Sequence, residues 1–555
     1  MTALYTVAEI RQIETAHTTA RTATGIITRT TAHSRISLMQ AAGEAVAACA
    51  IKLLNKRKKN VLILAGAGNN GGDAWVAARI LQKQKINITV VSVGEQKHPD
   101  AVAKKACAEY IKAKGSFVKA TPGLEFGSAF GSTSTSTSAS ASGYGLIIDG
   151  IFGIGLTQPP AGEFAHIIDA ANALSEKHGI PILAIDLPSG LIADTGAAPG
   201  AVIHATTTLT FLGAKPGLYT ADGSDCCGEI LIDTLGVKLP PSSGTLLTES
   251  DCAALIPQRR HHSHKGTYGQ VGIIGGADGM VGAAILAARA ALHMGPGKVY
   301  VGLMADQALS HDPINPEIMM RTARDLAADE AITVFAIGMG IGQSAAAKSI
   351  MTKIRARQMP MLIDADALRW VIPPIVAKKS STGAAFQAKI AGNTRPSLSF
   401  NSEMVLTPHP GEAARLLNIS TAEVQHDRIS AAQSIARSTG AVVVLKGNGT
   451  VIAMPGTLPS PAQGSAHAGH YFINPTGNPG MASGGMGDAL SGMIAAFMAQ
   501  GLSTLDAAKL GVYLHGAAAD CACHHGMGPH GLTASEVIFE ARTLLNTGLK
   551  DHHDE

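Results

Sequence analysis

Aromatic side chains are scarce: Phe, Tyr and Trp together make 4% of 555 residues, and only two are Trp. A core of ordinary density must then be filled by aliphatics, alanine and glycine, which suits helices packed closely on a sheet. Charge is scarce too, at 15% of the chain, and nearly balanced, with 44 Lys and Arg against 41 Asp and Glu for a net +3. That balance offers no basic surface to nucleic acid or to an anionic membrane. The basic run Lys56-Arg57-Lys58-Lys59 stands where a helix would end and reads as a solvated terminus favoured by the helix dipole. No apolar run reaches the roughly 18 residues of a membrane span. The opening segment MTALYTVAEIRQIETAH lacks the basic-then-apolar order of a secretory signal. Seven cysteines, an odd number scattered over a long chain, speak for thiols in a reducing cytoplasm rather than a disulfide framework. The CACHH stretch (Cys521–His525) and the HHSH stretch (His261, His262, His264) have no second ligand pair at a metal-site spacing, and both read as structural or incidental.

What is present is an alternation of short apolar runs and helical patterns, in a chain long enough for two or more domains. In the first half the strand candidates are VLILA (61–65), INITVVSV (86–93), GLIID (145–149), PILAID (181–186) and TTTLTF (206–211). In the second half they are QVGIIG (270–275), KVYVGL (298–303), TVFAIG (333–338), MLIDAD (361–366), MVLT (404–407) and AVVVLKG (441–447). Strands alternating with helices imply parallel sheets covered on both faces. The expected organisation is an α/β domain over 1–240, a linker around LPPSSGTLL (239–247), and a second α/β domain over 250–555. The segment GSTSTSTSASASGYG (131–145) is too poor in apolar area to offset its ordering entropy and reads as a surface loop, and 378–401 reads as a second loop insertion.

Two glycine loops carry the chemistry. VLILAGAGNNGGDAWVAARIL is strand, loop and helix, and its loop contains G-x-G-x-x-G at Gly66–Gly71. A dinucleotide-binding loop of that kind wants an acidic residue at the end of the next strand, about twenty residues on, and the nearest candidate, Glu95, lies farther away. The polar groups sit inside the loop instead, at Asn69, Asn70 and Asp73, as hard oxygen donors suited to a cation or to sugar hydroxyls; a turn with Asp73 as helix cap is the plainer alternative. Two more strands end in carboxylates, GLIID at Asp149 and PILAID at Asp186, the latter followed by Ser189. Ligands of parallel sheets bind beyond the carboxyl ends of strands, so these groups are expected to converge.

In the second half, NPTGNPGMASGGMGDALSG (474–492) runs into a helical pattern. Unpaired backbone N–H groups at that helix start suit an anion. A carboxylate there, Asp488, is unfavourable beside a phosphate unless it acts, for instance by taking the proton of a hydroxyl that attacks phosphorus. An ordinary first-turn aspartate stabilised by the dipole remains the alternative. Lys446 ends a strand, and Gly447–Thr450 follows as a loop able to wrap a nucleotide.

The set GAGNNGGDAWVAARIL, DGIFGIGL, IDLPSGLIADTG and AKPGL resembles the NAD(P)H-hydrate epimerase domain, a Rossmann-like three-layer fold. The set KGTYGQVGIIGG, HPGE, LKGNGT, NPTGNPGMASGGMGDALSG and YLHGAAAD resembles the ADP/ATP-dependent NAD(P)H-hydrate dehydratase domain, which is ribokinase-like. Their fusion resembles the bifunctional NAD(P)H-hydrate repair enzymes. The resemblance implies an isomerase that interconverts the R and S hydrates of NADH and NADPH, and a lyase that dehydrates the S form with ADP or ATP. It implies Asn69, Asn70, Gly71, Gly72, Asp73, Gly153, Ile154, Gly155, Leu156, Thr157, Gln158, Pro159 and Asp186 as hydrate binders in the epimerase. Asn70, Asp149 and Ser189 become ligands of a potassium ion. In the dehydratase, Ala283, Gly340, His409 and Asp488 become hydrate binders, and Lys446, Gly447, Asn448, Gly449, Thr450 and Gly487 hold the nucleotide with magnesium. Asp186 and Asp488 are the expected catalytic groups, and a cytoplasmic homo-oligomer that binds neither nucleic acid nor membrane is the expected setting. Three other readings stay open. A ribokinase-like kinase would accumulate a phosphorylated product, a binding protein would leave both loops structural, and an NAD-dependent oxidoreductase would need the missing acidic partner.

Overall fold

The computed structural model describes residues 2–23, 38–54, 60–94, 101–121, 143–306, 310–371, 403–456 and 470–549. The basic run 56–59, Glu95, the 378–401 insertion and the serine-threonine segment as far as residue 142 lie outside the described residues. The chain divides into two compact units, Ala3–Ser242 and Ser243–Glu555.

In the first unit seven strands form one sheet: β1 (Asn60–Ala65), β2 (Asn87–Ser92), β3 (Phe117–Lys119), β4 (Tyr144–Gly150), β5 (Ile182–Ile185), β6 (Thr207–Phe211) and β7 (Glu229–Asp233). All pairings are parallel, in the order β3-β2-β1-β4-β5-β6-β7. Both faces of the central strands are buried, which is why they read as unbroken apolar runs. Val61 and Ile63 of β1 pack with Trp75, Ala78 and Leu81 of the helix Asn69–Lys83. Leu62 and Leu64, pointing the other way, pack with Ile167, Ile168 and Ala171 of the helix Glu163–His178. Strand order reverses between β1 and β4, and a crevice beyond the strand ends is expected at such a point.

The second unit carries β8 (Gly244–Leu246), β9 (Gln270–Gly275), β10 (Lys298–Leu303), β11 (Met319–Thr322), β12 (Val334–Ile337), β13 (Met361–Ile363), β14 (Met404–Leu406), β15 (Val442–Leu445), β16 (Val451–Ala453) and β17 (Tyr471–Ile473). Their order is β8-β17-β16-β15-β14-β13-β12-β9-β10-β11. Pairing is parallel except at β15–β16 and β16–β17. The expected linker 239–247 is thereby corrected, because Gly244–Leu246 is a buried strand aligned with Tyr471–Ile473. Its partner lies more than two hundred residues away, where local sequence cannot see it. Besides β8, the strands not foreseen are Thr2–Leu4, β3, β7, β11, β16 and β17, each three to five residues long. No described helix is long and apolar enough to cross a membrane.

The shortage of aromatics is met by close helix approach. The helix Val281–His293 buries Ala284, Ala287, Ala288, Ala290 and Ala291, and packs on the helix Met486–Ala499. Contact is so close that a Cβ on Gly492 would stand 2.0 Å from the Ala287 carbonyl oxygen. Gly492→Ala therefore forces the two helices apart. Overpacking of this kind costs roughly 1–3 kcal/mol, and a urea midpoint unchanged from the parent protein would refute the close-approach account.

Candidate active sites

In the first unit the helix Asn69–Lys83 begins at Gly68, whose cap position carries no side-chain hydrogen bond. Asp73 is the fifth residue of that helix, which overturns its reading as a cap. The loop before the helix is folded backbone on backbone: a Cβ on Gly71 would stand 1.9 Å from the Gly66 carbonyl oxygen, and one on Gly66 2.0 Å from that of Ile151. These glycines are required by close approach, and the tight turn carries Asn70 inward to a buried position.

Asn70, Asp149 and Ser189 come together at the start of the loop after β4. Asn70 Nδ2 donates to the Phe152 carbonyl at 2.7 Å, and its Oδ1 lies over Gly153. Ser189 Oγ accepts from Phe152 N at 2.8 Å and donates to Asp149 Oδ1 at 2.6 Å. Asp149, wholly buried, also accepts from Ser189 N at 2.8 Å and Ile151 N at 3.2 Å. Burial pushes its carboxyl up to about 6 despite these bonds. The Gly153–Pro159 loop runs on from this point, with Gly155, Thr157, Gln158 and Pro159 exposed and Ile154 and Leu156 partly covered.

Asp186 stands just past the end of β5 with φ of +64°, a left-handed backbone that is strained for a side-chain-bearing residue. Its Oδ1 receives Lys215 Nζ at 2.5 Å, Thr210 Oγ1 at 3.2 Å and Phe211 N at 3.2 Å. Lys215 is itself buried and gives further bonds to Thr210 Oγ1 and the Phe211 carbonyl. Asp73 belongs to the same group: burial, then the charges of Asp186 and Glu14, push its carboxyl well above the usual range. Glu14, from the helix Val7–Ala23, is raised by burial and by Asp186, against the pull of Lys215 and Arg11. Glu14 and Lys215 had not been singled out as site residues. Lys215 lies in the motif AKPGL, but a buried lysine is visible only once its carboxylate partner is.

In the second unit, Gly485 caps the helix Met486–Ala499 with φ of +89° and no side-chain bond, so the helix presents unsatisfied N–H groups at this end. Asp488 lies in its first turn, half-buried. Burial and the Asp364 charge push its carboxyl up to about 7, with Glu412 adding to the rise and Lys446 opposing it. Asp364, at the end of β13, is buried; it accepts from Lys446 Nζ at 2.7 Å, Ala365 N at 2.8 Å and Ser491 Oγ at 2.7 Å. A Cβ on Gly487 would stand 3.2 Å from Lys446 Nζ, so the bare glycine leaves the ammonium accessible from the helix start. His409 caps the next helix, Pro410–Leu417. Its Nδ1 accepts from Gly411 N at 3.0 Å and its Nε2 lies 3.3 Å from Glu412 Oε1, which places the proton on Nε2.

Gly340, at φ of +65°, faces Ala283, with a would-be Cβ 3.6 Å from that of Ala283. Gly447–Thr450 turns after Lys446, with Thr450 Oγ1 donating to the Gly447 carbonyl at 2.9 Å, and Asn448 exposed between them. Buried Arg428 supports this turn through the Leu445 and Lys446 carbonyls, each at 3.2 Å. Asp520 pins the opposite loop by accepting from Gly477 N at 2.8 Å and Asn478 Nδ2 at 2.9 Å. Asp364, Glu412, Arg428 and Asp520 had no role in the sequence reading. MLIDAD, HPGE and YLHGAAAD held three of them in plain view, whereas Arg428 carries no local signal.

A family model described as YjeF-related protein N-terminus matches residues 35–217, and one described as NAD(P)H-hydrate dehydratase matches residues 271–538. The bifunctional NAD(P)H-hydrate repair enzyme of Escherichia coli is 35% identical over 502 residues, covering 89% of this chain and 87% of that one. The enzyme of the same description from Coxiella burnetii is 34% identical over 560 residues, covering 98% of this chain and 100% of that one. The crystal structure of an ADP/ATP-dependent NAD(P)H-hydrate dehydratase from Bacillus subtilis, with ATP and Mg2+, is 30% identical, covers 55% of this chain and 98% of that one, and superposes with a TM-score of 0.44.

The electrostatics of the second site make a direct prediction. Lys446 lowers the Asp488 carboxyl from where burial and its carboxylate neighbours would leave it, so Lys446→Met should raise it further above about 7. Carboxyl-carbon NMR titration of the two proteins reads this. An Asp488 titration that moves down, or stays in place, would show that the lysine does not face it.

Proposed function

The chain belongs to the family of bifunctional NAD(P)H-hydrate repair enzymes, and from that premise we propose how its two units divide the work. It is an NAD(P)H-hydrate epimerase, interconverting the R and S hydrates of NADH and NADPH, and an ADP/ATP-dependent dehydratase that returns the S form to NAD(P)H. The epimerase is assigned to the first unit and the dehydratase to the second.

The dehydration step is carried by one observation: a half-buried carboxylate with its pKa near neutrality in the first turn of a bare helix start. The hydrate holds a hydroxyl on C6 of its ring, and hydroxide is a poor leaving group. Asp488 takes the hydroxyl proton as the oxygen attacks the terminal phosphorus of ADP or ATP. The helix N–H groups and Lys446 face the transferred phosphoryl group. The ring nitrogen lone pair then expels phosphate from C6, a proton leaves C5, and the double bond is restored. A base with pKa near the working pH is best placed for the first transfer. Asp364, Glu412 and Asp488 bring three carboxylate charges around one lysine, and hard oxygens are the donor type that magnesium carried on nucleotide phosphates takes. Asp364 and Glu412 would hold that ion, which when bound neutralises phosphate charge. His409, Gly340 and Ala283 are assigned to the hydrate, and Gly447–Thr450 with Gly487 to the nucleotide.

Inversion at C6 needs a bond at that carbon to open and re-form, with a proton given and taken back. Asp186 is assigned that exchange. Lys215 and Thr210 grip its Oδ1, which fixes the carboxylate for a substrate on the other oxygen. The hydrate lies against Asn69–Asp73 and Gly153–Pro159. A potassium ion fits the neighbouring oxygens: Asp149 is buried with only neutral donors on it, and Ser189 Oγ, Asn70 Oδ1 and the Phe152 carbonyl gather beside it. Asn70, Asp149 and Ser189 would hold it, and when bound it neutralises the buried carboxylate and braces the loop.

Asp488→Asn should lower ADP- or ATP-dependent recovery of NADH on the order of 10²–10⁴-fold, with epimerisation intact. In the parent enzyme, kcat/KM for dehydration should fall as pH drops below about 7, because the base is then protonated. A variant with near-normal dehydration sinks the assignment, and release of a stable phosphorylated hydrate would turn the reading toward a kinase.

For the epimerase, Asp186→Asn keeps the acceptor for Lys215 and a residue that tolerates positive φ. From a mixed hydrate pool it should recover the S fraction at the normal rate and then stall. Replacing potassium by tetramethylammonium should slow the same step in the parent protein. Conversion of the R form at an undiminished rate under either change would overturn the corresponding assignment.

A further inference from the structure

The helix Thr504–His524 brings Cys521 and His525, four residues apart, to one face at its C-terminal end, opposite Glu540 of the helix Ala534–Thr547. Cys521 Sγ is 3.8 Å from His525 Nδ1 and 3.6 Å from Glu540 Oε2, and His525 Nδ1 is 3.4 Å from Glu540 Oε1. We propose that this Cys-His-Glu cluster is a zinc site, separate from both active sites. In tetrahedral coordination, Zn–S of about 2.3 Å with Zn–N and Zn–O of about 2.0–2.2 Å space the ligand atoms roughly 3.3–3.6 Å apart. The sulfur–nitrogen separation of 3.8 Å is close to that range, the two contacts with Glu540 run to different oxygens of its carboxylate, and with one donor atom taken from each residue all three lie within 4.8 Å of one another. Thiolate, imidazole and carboxylate together suit zinc better than the hard cations taken by the two active sites.

Two further features favour a cation. Cys521 lies in the last turn of its helix and His525 is the C-cap residue, where the backbone carbonyls and the dipole are negative. Cys521 and Glu540 are each about nine-tenths buried or more, so their charged forms need a partner. The imidazole of His525 is half-exposed at 49%, which gives the ion a path from solvent and leaves the fourth position to water.

The location implies a bracing role. The same helix carries Asp520, which binds Gly477 N and Asn478 Nδ2, and Cys523, whose Sγ donates to Asn478 Oδ1 at 3.2 Å. Zinc would join the end of this helix to the next one and stiffen the support of the glycine loop that contains Asn478. Sequence reading missed the site because it sought a second pair near CACHH, whereas the third ligand comes from the following helix.

The test uses the full chain, stripped with a chelator, dialysed against zinc chloride and assayed for metal after gel filtration. One zinc per chain is expected, with binding at least tenfold weaker in Cys521→Ser, Glu540→Gln and His525→Asn. Cys523→Ser should bind as the parent does. The cobalt-loaded parent should show thiolate-to-metal charge-transfer absorption that Cys521→Ser lacks. Zinc at 100-fold above its Kd should raise the melting temperature by roughly 5 °C, and His525→Asn should lose that rise. The exposed His525 keeps the test sound should a buried substitution misfold. No bound zinc in the parent, or equal zinc in His525→Asn, means the three groups form only a hydrogen-bonded triad and the proposal falls.

Discussion

Carboxylates set at the ends of parallel strands, and largely taken out of water, are the constraint on which both units are built. Asp149 and Asp364 are at most 1% exposed, and Asp186 is 9% exposed. A buried charge costs several kcal/mol unless a partner offsets it. Asp364 has Lys446, and Asp186 has Lys215. Asp149 has neutral donors from Ser189 and Ile151, and burial still drives its carboxyl up to about 6. The Asp149 corner differs from the other two in that no cationic side chain donates to its carboxylate. Hydrogen bonds orient that carboxylate, but they leave its charge uncompensated.

Each pairing also sets the environment of the next carboxylate along. In the second unit, Lys446 is engaged by Asp364, so it relieves Asp488 only in part, and Asp488 is left near 7. In the first unit, Lys215 is absorbed by Asp186, and Asp73 and Glu14 are raised. In both, one lysine serves more carboxylates than it can neutralise. The excess leaves the remaining carboxyls raised by burial and by their like-charged neighbours, Asp488 to about 7.

Glycine makes these arrangements reachable. The Gly66 and Gly71 turn folds within van der Waals contact of neighbouring carbonyls, and Gly487 leaves Lys446 uncovered at the start of its helix. The same economy appears away from the sites, where Ala287 and Gly492 bring two helices together without aromatic filling. A chain with 62 glycines and 4% aromatics therefore gains close backbone approach both for its core and for its ligands.

The two α/β halves, the central strands and the glycine loops were legible in the sequence, because local periodicity and turn chemistry act over a few residues. Asn70, Asp149 and Ser189 could be named as a group because each lies at or just after the end of a strand, on the same edge of the sheet. The short strands Gly244–Leu246 and Tyr471–Ile473 were not legible, since neither carries a pattern of its own and each depends on a partner distant in the chain. The capping role weighed for Asp73 failed for a related reason: the helix starts four residues earlier, at Asn69. Lys215 beside Asp186, Arg428 beneath Lys446 and Glu540 opposite Cys521 were decided by tertiary structure alone. Sequence fixes which groups are available and which segments are regular. Pairing of a buried charge depends on distance through space, and only the packed helices and sheets set that distance.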